Sequence, residues 1–294
     1  MGVSRRHFLA TIAAAPTLAW ATPRLPWDDD FGQRLAALEA AHGGRLGVSA
    51  LDTGSGDTLA FRAHERFAMC STFKALLAAQ VLAAVEAGAT TLERRVHWTA
   101  EEMVSWSPVV EKADADAGLT LAALCEAAVT TSDNTAANLL LREHGGPAGL
   151  TAWLRSIGDA TTRLDRNEPA LNEAAPGDPR DTTTPAATTA TWRTLLLGDA
   201  LAPASRARLT DWLVRNTTGD RRLRAGLPGW TVGDKTGTSN TQVSNDVAIA
   251  WPPGGGAPVI VAAYYAESPA DPATRDTVLA ETGRIVAAWS AAGG

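Results

Sequence analysis

Residues 71–88 read STFKALLAAQVLAAVEAG, and the rest of the chain is organised around the helix that they predict. Alanine and leucine are strong helix formers, proline is absent from the run, and Gly88 is a common kind of helix stop. We therefore predict a helix over residues 72–87. Ser71 lies at its start, and Lys74 follows three residues later on the same face.

Strand-like segments lie on both sides of this helix. A helix predicted over residues 31–42 precedes two short strands, at 45–52 and 57–62, whose connection Thr53-Gly54-Ser55-Gly56 has the chemistry of a hairpin turn. The C-terminal part has three more predicted strands and a last helix, at 230–235, 246–251, 259–265 and 274–292.

The middle of the chain is helical instead. Apolar periodicity predicts further helices over residues 119–129, 134–143, 149–156, 184–197 and 203–216. Residues 163–181 interrupt them with a polar, proline-containing stretch, and loops of this length in a compact domain are usually functional or disordered.

Strands at both ends around a helical middle predict a two-lobed α+β fold. One lobe has an antiparallel sheet flanked by terminal helices and is built from residues 22–62 and 213–294. The other is an all-α lobe over residues 63–212, which includes the loop 163–181.

Residues 1–21 have the features of an export signal. Ser4-Arg5-Arg6-His7-Phe8-Leu9 is a twin-arginine signature, and the apolar run after it ends at Ala19-Trp20-Ala21, which suits a signal peptidase. About ten apolar residues are too few to span a bilayer, which argues against a membrane anchor. We expect cleavage after Ala21 and a periplasmic protein, while a Gram-positive exterior stays open.

The charge of the chain limits its partners. The formal net charge is −6, and removal of Arg5 and Arg6 with the signal makes it −8. This acidity argues against nucleic acid or an anionic membrane as a partner. We expect a monomer that acts on a small molecule and has no membrane contact after signal cleavage.

Lysine is rare in this sequence, and its positions are informative. Three lysines stand against 23 arginines, and two of them lie in Ser71-Thr72-Phe73-Lys74 and Lys235-Thr236-Gly237-Thr238. Arginine stays charged at any accessible pH, whereas a desolvated lysine can lose its proton. A serine hydroxyl needs an adjacent base, and a helix N-terminus favours a developing anion. Ser71 is therefore the candidate nucleophile and Lys74 its proton partner.

Ser132-Asp133-Asn134, between two predicted helices, is a third short motif. Alone it is weak, because these residue types are ordinary in turns and caps, and Lys235-Thr236-Gly237 on a strand is equally modest by itself. The order and separation of the three motifs carry the information.

Together the three motifs resemble the signature of penicillin-recognising serine enzymes, which include class A β-lactamases and penicillin-binding proteins. Residues 168–172, Glu-Pro-Ala-Leu-Asn, are similar to the deacylating loop motif of class A β-lactamases. The resemblance extends from about residue 31 to the C-terminus. It implies a serine β-lactamase/transpeptidase-like fold and hydrolysis of penicillins and cephalosporins, hence antibiotic resistance, without a metal or organic cofactor.

The resemblance also implies roles for single residues. Ser71 would attack the lactam carbonyl, and Lys74 or Glu168 would take its proton. The backbone N–H groups of Ser71 and Thr238 would form the oxyanion hole. Ser132, held near Lys235, would pass a proton to the departing nitrogen.

The remaining site residues follow from the same resemblance. Glu168 and Asn172 would hold the hydrolytic water, with the glutamate as general base. Asn134 would hydrogen-bond the acyl-amide side chain of the substrate. Trp106 would form an apolar wall at the entrance, with plain packing as the alternative role of a tryptophan.

A guanidinium for the substrate carboxylate needs an inference of its own. Many relatives place it on the strand after the Lys-Thr-Gly strand, but the matching position here is Ser244. In others it precedes the Lys-Thr-Gly strand, and Arg222 fits that pattern. We predict that Arg222 binds the carboxylate with the strand residues Lys235, Thr236, Gly237 and Thr238, against the alternative of a surface arginine beside Arg221 and Arg224.

Two further pairs bear on the resemblance. Arg166 and Asp181 resemble an ion pair that joins the two ends of the 163–181 loop, and it must be partly buried to order that loop. The positions that pair with Cys70 and Cys125 in some relatives are Ser239 and Ala78 here. We therefore expect two free, buried thiols.

Two other functions stay open. A penicillin-binding DD-carboxypeptidase or transpeptidase would share the three core motifs, but would not be expected to carry Glu168 with Asn172. A non-catalytic β-lactam sensor would stay acylated, and soluble export without an anchor argues against it.

Overall fold

A computed structural model describes residues 30–239 and 241–293 of the chain. Its strands are β1 (Arg45–Asp52), β2 (Thr58–Phe61), β3 (Phe67–Ala68), β4 (Arg95–Val96), β5 (Leu119–Thr120), β6 (Thr182–Thr183), β7 (Thr231–Thr238), β8 (Ser244–Trp251) and β9 (Val259–Ala266). Its helices are α1 (Asp30–His42), α2 (Phe73–Glu86), α3 (Leu121–Thr130), α4 (Asn134–Glu143), α5 (Gly146–Ser156), α6 (Pro185–Leu196), α7 (Pro203–Val214), α8 (Leu223–Gly226) and α9 (Pro272–Ala291).

Five strands form an antiparallel sheet in the order β2-β1-β9-β8-β7. The last three are consecutive along the chain, whereas β1 pairs with β9, so the sheet joins the two ends of the sequence. This sheet with its flanking helices confirms the predicted α+β class.

Each face of the sheet covers a separate hydrophobic core. Val247 and Ile249 of β8 pack with helices α2 to α7 in one cluster, which we call the middle core. Ala248 and Ala250 pack with α1, α8 and α9 in the other, the terminal core. The alternation follows from the period of two along a strand. The division of the chain into lobes at residues 62 and 212 stays a prediction.

The prediction for residues 72–87 is right about the helix but not about its first turn. Cys70–Thr72 form a 3-10 turn, and α2 begins at Phe73. The tighter turn begins at Cys70, whose φ of 46° lies in the left-handed region. Ser71 therefore lies on a constrained turn at the head of a helix that is almost completely buried along its first ten residues.

Two elements near the Lys-Thr-Gly motif differ from the prediction. β7 continues past Lys235 to Thr238, because its pairing with β8 extends to Thr238 opposite Ser244. The short helix α8 was not predicted, since four residues carry too little periodicity to be recognised.

The predicted signal over residues 1–21 lies outside the described residues. Within the described ranges, no helix combines the length and the apolar character that crossing a membrane requires.

Candidate active site

Most of the predicted site residues line one cleft of about 360 Å³. Ser71 lies on its floor, the segment around Trp106 and the 168–172 loop form its sides, and β7 closes it. Its lining contains eight of the predicted residues: Ser71, Trp106, Ser132, Asn134, Asn172, Arg222, Thr236 and Thr238.

Lys74 is fully buried beneath the cleft, one turn beyond Ser71. Its Nζ donates to the Ser132 carbonyl at 2.8 Å and to Asn134 Oδ1 at 2.5 Å. The same nitrogen lies 3.0 Å from Glu168 Oε1, and both side chains of this ion pair are inaccessible to solvent. Burial lowers the pKa of Lys74, and the adjacent Glu168 carboxylate opposes that change. A buried lysine with a lowered pKa can exchange a proton more readily than a solvated one.

Glu168 reaches the nucleophile directly. Ser71 Oγ donates to Glu168 Oε1 at 3.1 Å, and Asn172 Nδ2 donates to Glu168 Oε2 at 2.5 Å. The backbone of Glu168 is fixed as well, because its N–H and carbonyl form two 2.9 Å hydrogen bonds with the side-chain amide of Asn138. The carboxylate is thus held between the serine and Asn172.

The contact between Asn138 and Glu168 was not predicted from the sequence. Asn138 lies four positions after Asn134 on α4, so both side chains face the same side of that helix. The four-residue spacing of the two asparagines indicates a shared helix face. It does not indicate that the partner of Asn138 is the Glu168 carbonyl, thirty positions away in the loop.

The loop 163–181 is closed at its base around Asp181, which is fully buried. Asp181 Oδ1 accepts from the backbone N–H groups of Asp165 at 2.7 Å and Arg166 at 2.9 Å, and Oδ2 accepts from Arg166 Nε at 2.6 Å. The predicted pair of Arg166 and Asp181 is therefore present and mostly buried. A second acidic partner of Arg166, Glu173, is 60% exposed.

Ser132 joins the two buried lysines. Its φ of 59° turns the chain between α3 and α4, and its Oγ accepts from Lys235 Nζ at 3.1 Å and from Lys74 Nζ at 3.4 Å. Lys235 faces this way because it is paired with Val247 on the side of the middle core. Burial, and then the charge of Lys74, lowers the pKa of Lys235 to about 7.

Arg222 is buried rather than a surface residue. Its Nη1 donates to the carbonyls of Gly237 at 3.0 Å and Asn245 at 2.8 Å, and its Nη2 donates to Thr238 Oγ1 at 2.8 Å. Asp276 Oδ1 accepts from its Nε at 2.7 Å. The surface alternative is therefore wrong: the guanidinium lies against the ends of β7 and β8, and it lines the cleft.

The wall opposite β7 combines an exposed ring and a buried amide. Trp106 is 65% exposed, and its Nε1 donates to the Thr131 carbonyl at 3.1 Å, which disfavours a plain packing role. Asn134 is buried, and its Nδ2 donates to the Ser105 carbonyl at 2.8 Å.

Gly237 has a steric reason to be glycine. A Cβ at this position would lie 2.5 Å from the Met69 carbonyl, which is closer than such atoms approach each other. β7 therefore comes into contact with the turn that carries Ser71.

The cysteines are free and fully buried, as the sequence predicted. Cys70 directly precedes the nucleophile, but burial raises the pKa of its thiol, and the nearby Glu168 carboxylate raises it further. It is unsuited to nucleophilic attack, because the thiolate is the reactive form. In the described part of the chain, no group of three or more histidine, cysteine or acidic residues is placed to hold a metal ion.

Comparisons with known proteins agree with this arrangement. The Beta-lactamase enzyme family matches residues 30–289. Beta-lactamase AST-1 of Nocardia asteroides is 52% identical over 254 residues, which cover 86% of this chain and 81% of that protein. The carbapenem-hydrolyzing beta-lactamase KPC of Klebsiella oxytoca is 46% identical over 287 residues, 97% of each chain.

A solved structure extends the likeness to three dimensions. An ancestral (GNCA) class A beta-lactamase superposes with a TM-score of 0.86 at 62% identity, covering 88% of this chain and all of that one.

Proposed function

This chain belongs to the class A β-lactamase family, and we propose that it hydrolyses the amide bond of penicillins and cephalosporins through an acyl-enzyme on Ser71. The observation that carries the proposal is the position of Glu168, whose carboxylate accepts from both Ser71 Oγ and Asn172 Nδ2. It has the reach to serve both formation and hydrolysis of an ester on Ser71.

In the first half-reaction Ser71 Oγ attacks the lactam carbonyl carbon as its proton passes to a base. Glu168 Oε1 accepts from the serine at 3.1 Å, and Lys74 Nζ lies 3.0 Å from the same oxygen. Glu168 can accept the proton directly. Lys74 can accept it by way of the Glu168 carboxylate, which contacts both residues. The negative charge that develops on the carbonyl oxygen is met by the N–H groups of Ser71 and Thr238.

Ring opening then needs a proton on the lactam nitrogen. Ser132 Oγ is placed for this transfer, because the two buried lysines can return a proton to it. Lys235, Thr236, Gly237, Thr238 and Arg222 form the subsite for the substrate carboxylate, and Asn134 and Trp106 lie on the opposite wall, beside the acyl-amide side chain.

In the second half-reaction water attacks the ester and gives its proton to Glu168. Asn172 Oδ1 is buried and has no hydrogen-bond partner among the described residues, so it offers an acceptor to that water beside the carboxylate. This pairing supports a hydrolase over a carboxypeptidase, a transpeptidase or a sensor that stays acylated.

We also propose that the mature enzyme begins after Ala21, is exported by the twin-arginine pathway to the periplasm and acts as a monomer. The twin-arginine signature at residues 4–9 supports the route, and the acidic mature chain supports a small-molecule ligand.

Turnover of a chromogenic cephalosporin tests the proposed function. The purified mature protein is expected to release product far beyond one equivalent of enzyme, because water regenerates Ser71 after each cycle. The control is Ser71→Ala, which should release none. A stoichiometry of one or less would reject the hydrolase and leave the carboxypeptidase, the transpeptidase and the sensor.

Asp181→Asn is expected to slow deacylation by about 10- to 100-fold and acylation much less, since a loosened loop displaces Glu168 from the ester. Single-turnover kinetics with the same cephalosporin separates the two steps. Glu173→Gln is the matched control, because it removes the exposed acidic partner of the same arginine. Equal losses in both steps would contradict the expectation that closure of the loop serves deacylation more than acylation.

A further inference from the structure

Asn245 is a completely buried polar residue of β8 that the mechanism above does not use. It lies directly opposite Gly237 in the sheet and shares its face. Its Nδ2 donates to the carbonyls of Ala68 at 2.8 Å and Met69 at 3.1 Å, and its Oδ1 accepts from the Tyr265 N–H at 3.3 Å. Both N–H groups of the side-chain amide therefore bind carbonyls outside the five-stranded sheet.

The two carbonyls that Asn245 binds immediately precede the turn that carries Ser71. Met69 O also accepts from Thr72 Oγ1 at 3.0 Å, so a donor from the turn itself and a donor from β8 converge on one atom. Gly237 approaches the same carbonyl so closely that a Cβ would collide with it. This carbonyl is the point at which the sheet and the turn of Ser71 meet.

The two N–H groups of the proposed oxyanion hole belong to different elements. Ser71 lies on the 3-10 turn two residues after Met69, and Thr238 lies on β7 one residue after Gly237. The two residues are 167 positions apart along the chain, so the backbone alone does not fix the distance between their N–H groups. Non-covalent contacts between the turn and the sheet must fix it. The side-chain amide of Asn245 provides such a contact, and the backbone carbonyl of the same residue accepts from Arg222 Nη1 at 2.8 Å.

We propose that Asn245 is a positioning residue for acyl transfer. By joining the turn of Ser71 to β8, its side chain sets the spacing between the Ser71 and Thr238 N–H groups. The inference rests on the proposed function. Oxyanion stabilisation depends on donors fixed in advance, and a misplacement of about 1 Å costs about 100-fold in rate.

The test is Asn245→Leu, which keeps a comparable volume and removes both donors. Acylation by a cephalosporin is expected to fall by about 10- to 100-fold, and the affinity for a boronic acid that forms a tetrahedral adduct on Ser71 should fall by a similar factor. Substrate affinity measured without chemistry, in a Ser71→Ala background, should be unchanged. No acyl-enzyme should accumulate, because both half-reactions use the same N–H groups.

Thr189→Val is the matched control. Thr189 is also buried, and its hydroxyl donates to the Ser49 carbonyl at 3.1 Å, so the change removes an equivalent link between a side chain and a strand away from the cleft. It should lower the melting temperature without changing the rate constants. If Asn245→Leu behaves in the same way, the residue is only structural and the inference is wrong.

If Asn245→Leu does not fold, Asn245→Ala decides. It removes the same two donors without adding a larger apolar group, and it should lower acylation and boronate affinity together; unchanged acylation would overturn the inference. Wild-type protein that fails to turn over cephalosporin would instead reject the proposed function, which separates the two failures.

Discussion

Glu168→Gln is expected to convert catalytic turnover into a reaction that stops at one equivalent, with the opened β-lactam esterified to Ser71. Glutamine keeps nearly the same shape, but its amide cannot accept a proton from the attacking water. Loss of a general base lowers the rate of its step by about 10²- to 10⁴-fold, and here the step is deacylation. The measurement is a burst of product followed by intact-mass spectrometry of the protein.

The control for this variant is Glu126→Gln, which neutralises an exposed carboxylate on α3. It should retain full turnover. Undiminished turnover by Glu168→Gln would mean that another group activates the water, and the assignment of Glu168 would then be wrong.

Lys74→Met is expected to lower the acylation rate by about 10²- to 10⁴-fold without producing a stable adduct. Methionine fills the same buried space, but the change removes the charge that faces Glu168, Ser132 and Asn134. It also leaves the Glu168 carboxylate buried without its cation. Stopped-flow measurement of acylation gives the rate.

The third lysine provides the control for this prediction. Lys112 is exposed in a 3-10 turn, and Lys112→Met should leave acylation unchanged. Comparison of the two catalytic variants also distinguishes the base in acylation. If Glu168→Gln acylates at the wild-type rate, Lys74 takes the serine proton; if it acylates as slowly as Lys74→Met, Glu168 takes part. Normal acylation by Lys74→Met would exclude Lys74 as the base.

The sequence predicted the elements whose information is local. The helix after Ser71, the hairpin of β1 and β2 and the order of the C-terminal strands follow from periodicity and turn residues over short windows. The motif residues were found for the same reason, because Ser71 and Lys74 are three positions apart and Glu168 and Asn172 are four positions apart.

What the sequence did not predict depends on contacts between distant segments. The Glu168 backbone is held by Asn138, and Arg222 is held by Asp276, 54 positions later. Asn245 acts across 176 positions on Met69. The first contact depends on the packing of the 163–181 loop against α4, and the other two depend on strand register and on the packing of α8 and α9 against the sheet. None of these is encoded in a local pattern. The burial of Arg222 is the clearest case, since neighbouring arginines made a surface role plausible.

The pairing of β1 with β9 determines when this protein can become active. The Tyr265 hydroxyl donates to the Gly43 carbonyl 222 positions earlier, and all eight residues of β1 find their partners in β9. Contacts of such separation make folding slow, because a long loop must close before they form. During synthesis β1 therefore cannot pair with β9 until that last strand has left the ribosome. The sheet that carries Lys235, Thr236 and Asn245 is complete only after that. An export route that carries folded proteins suits a chain of this topology.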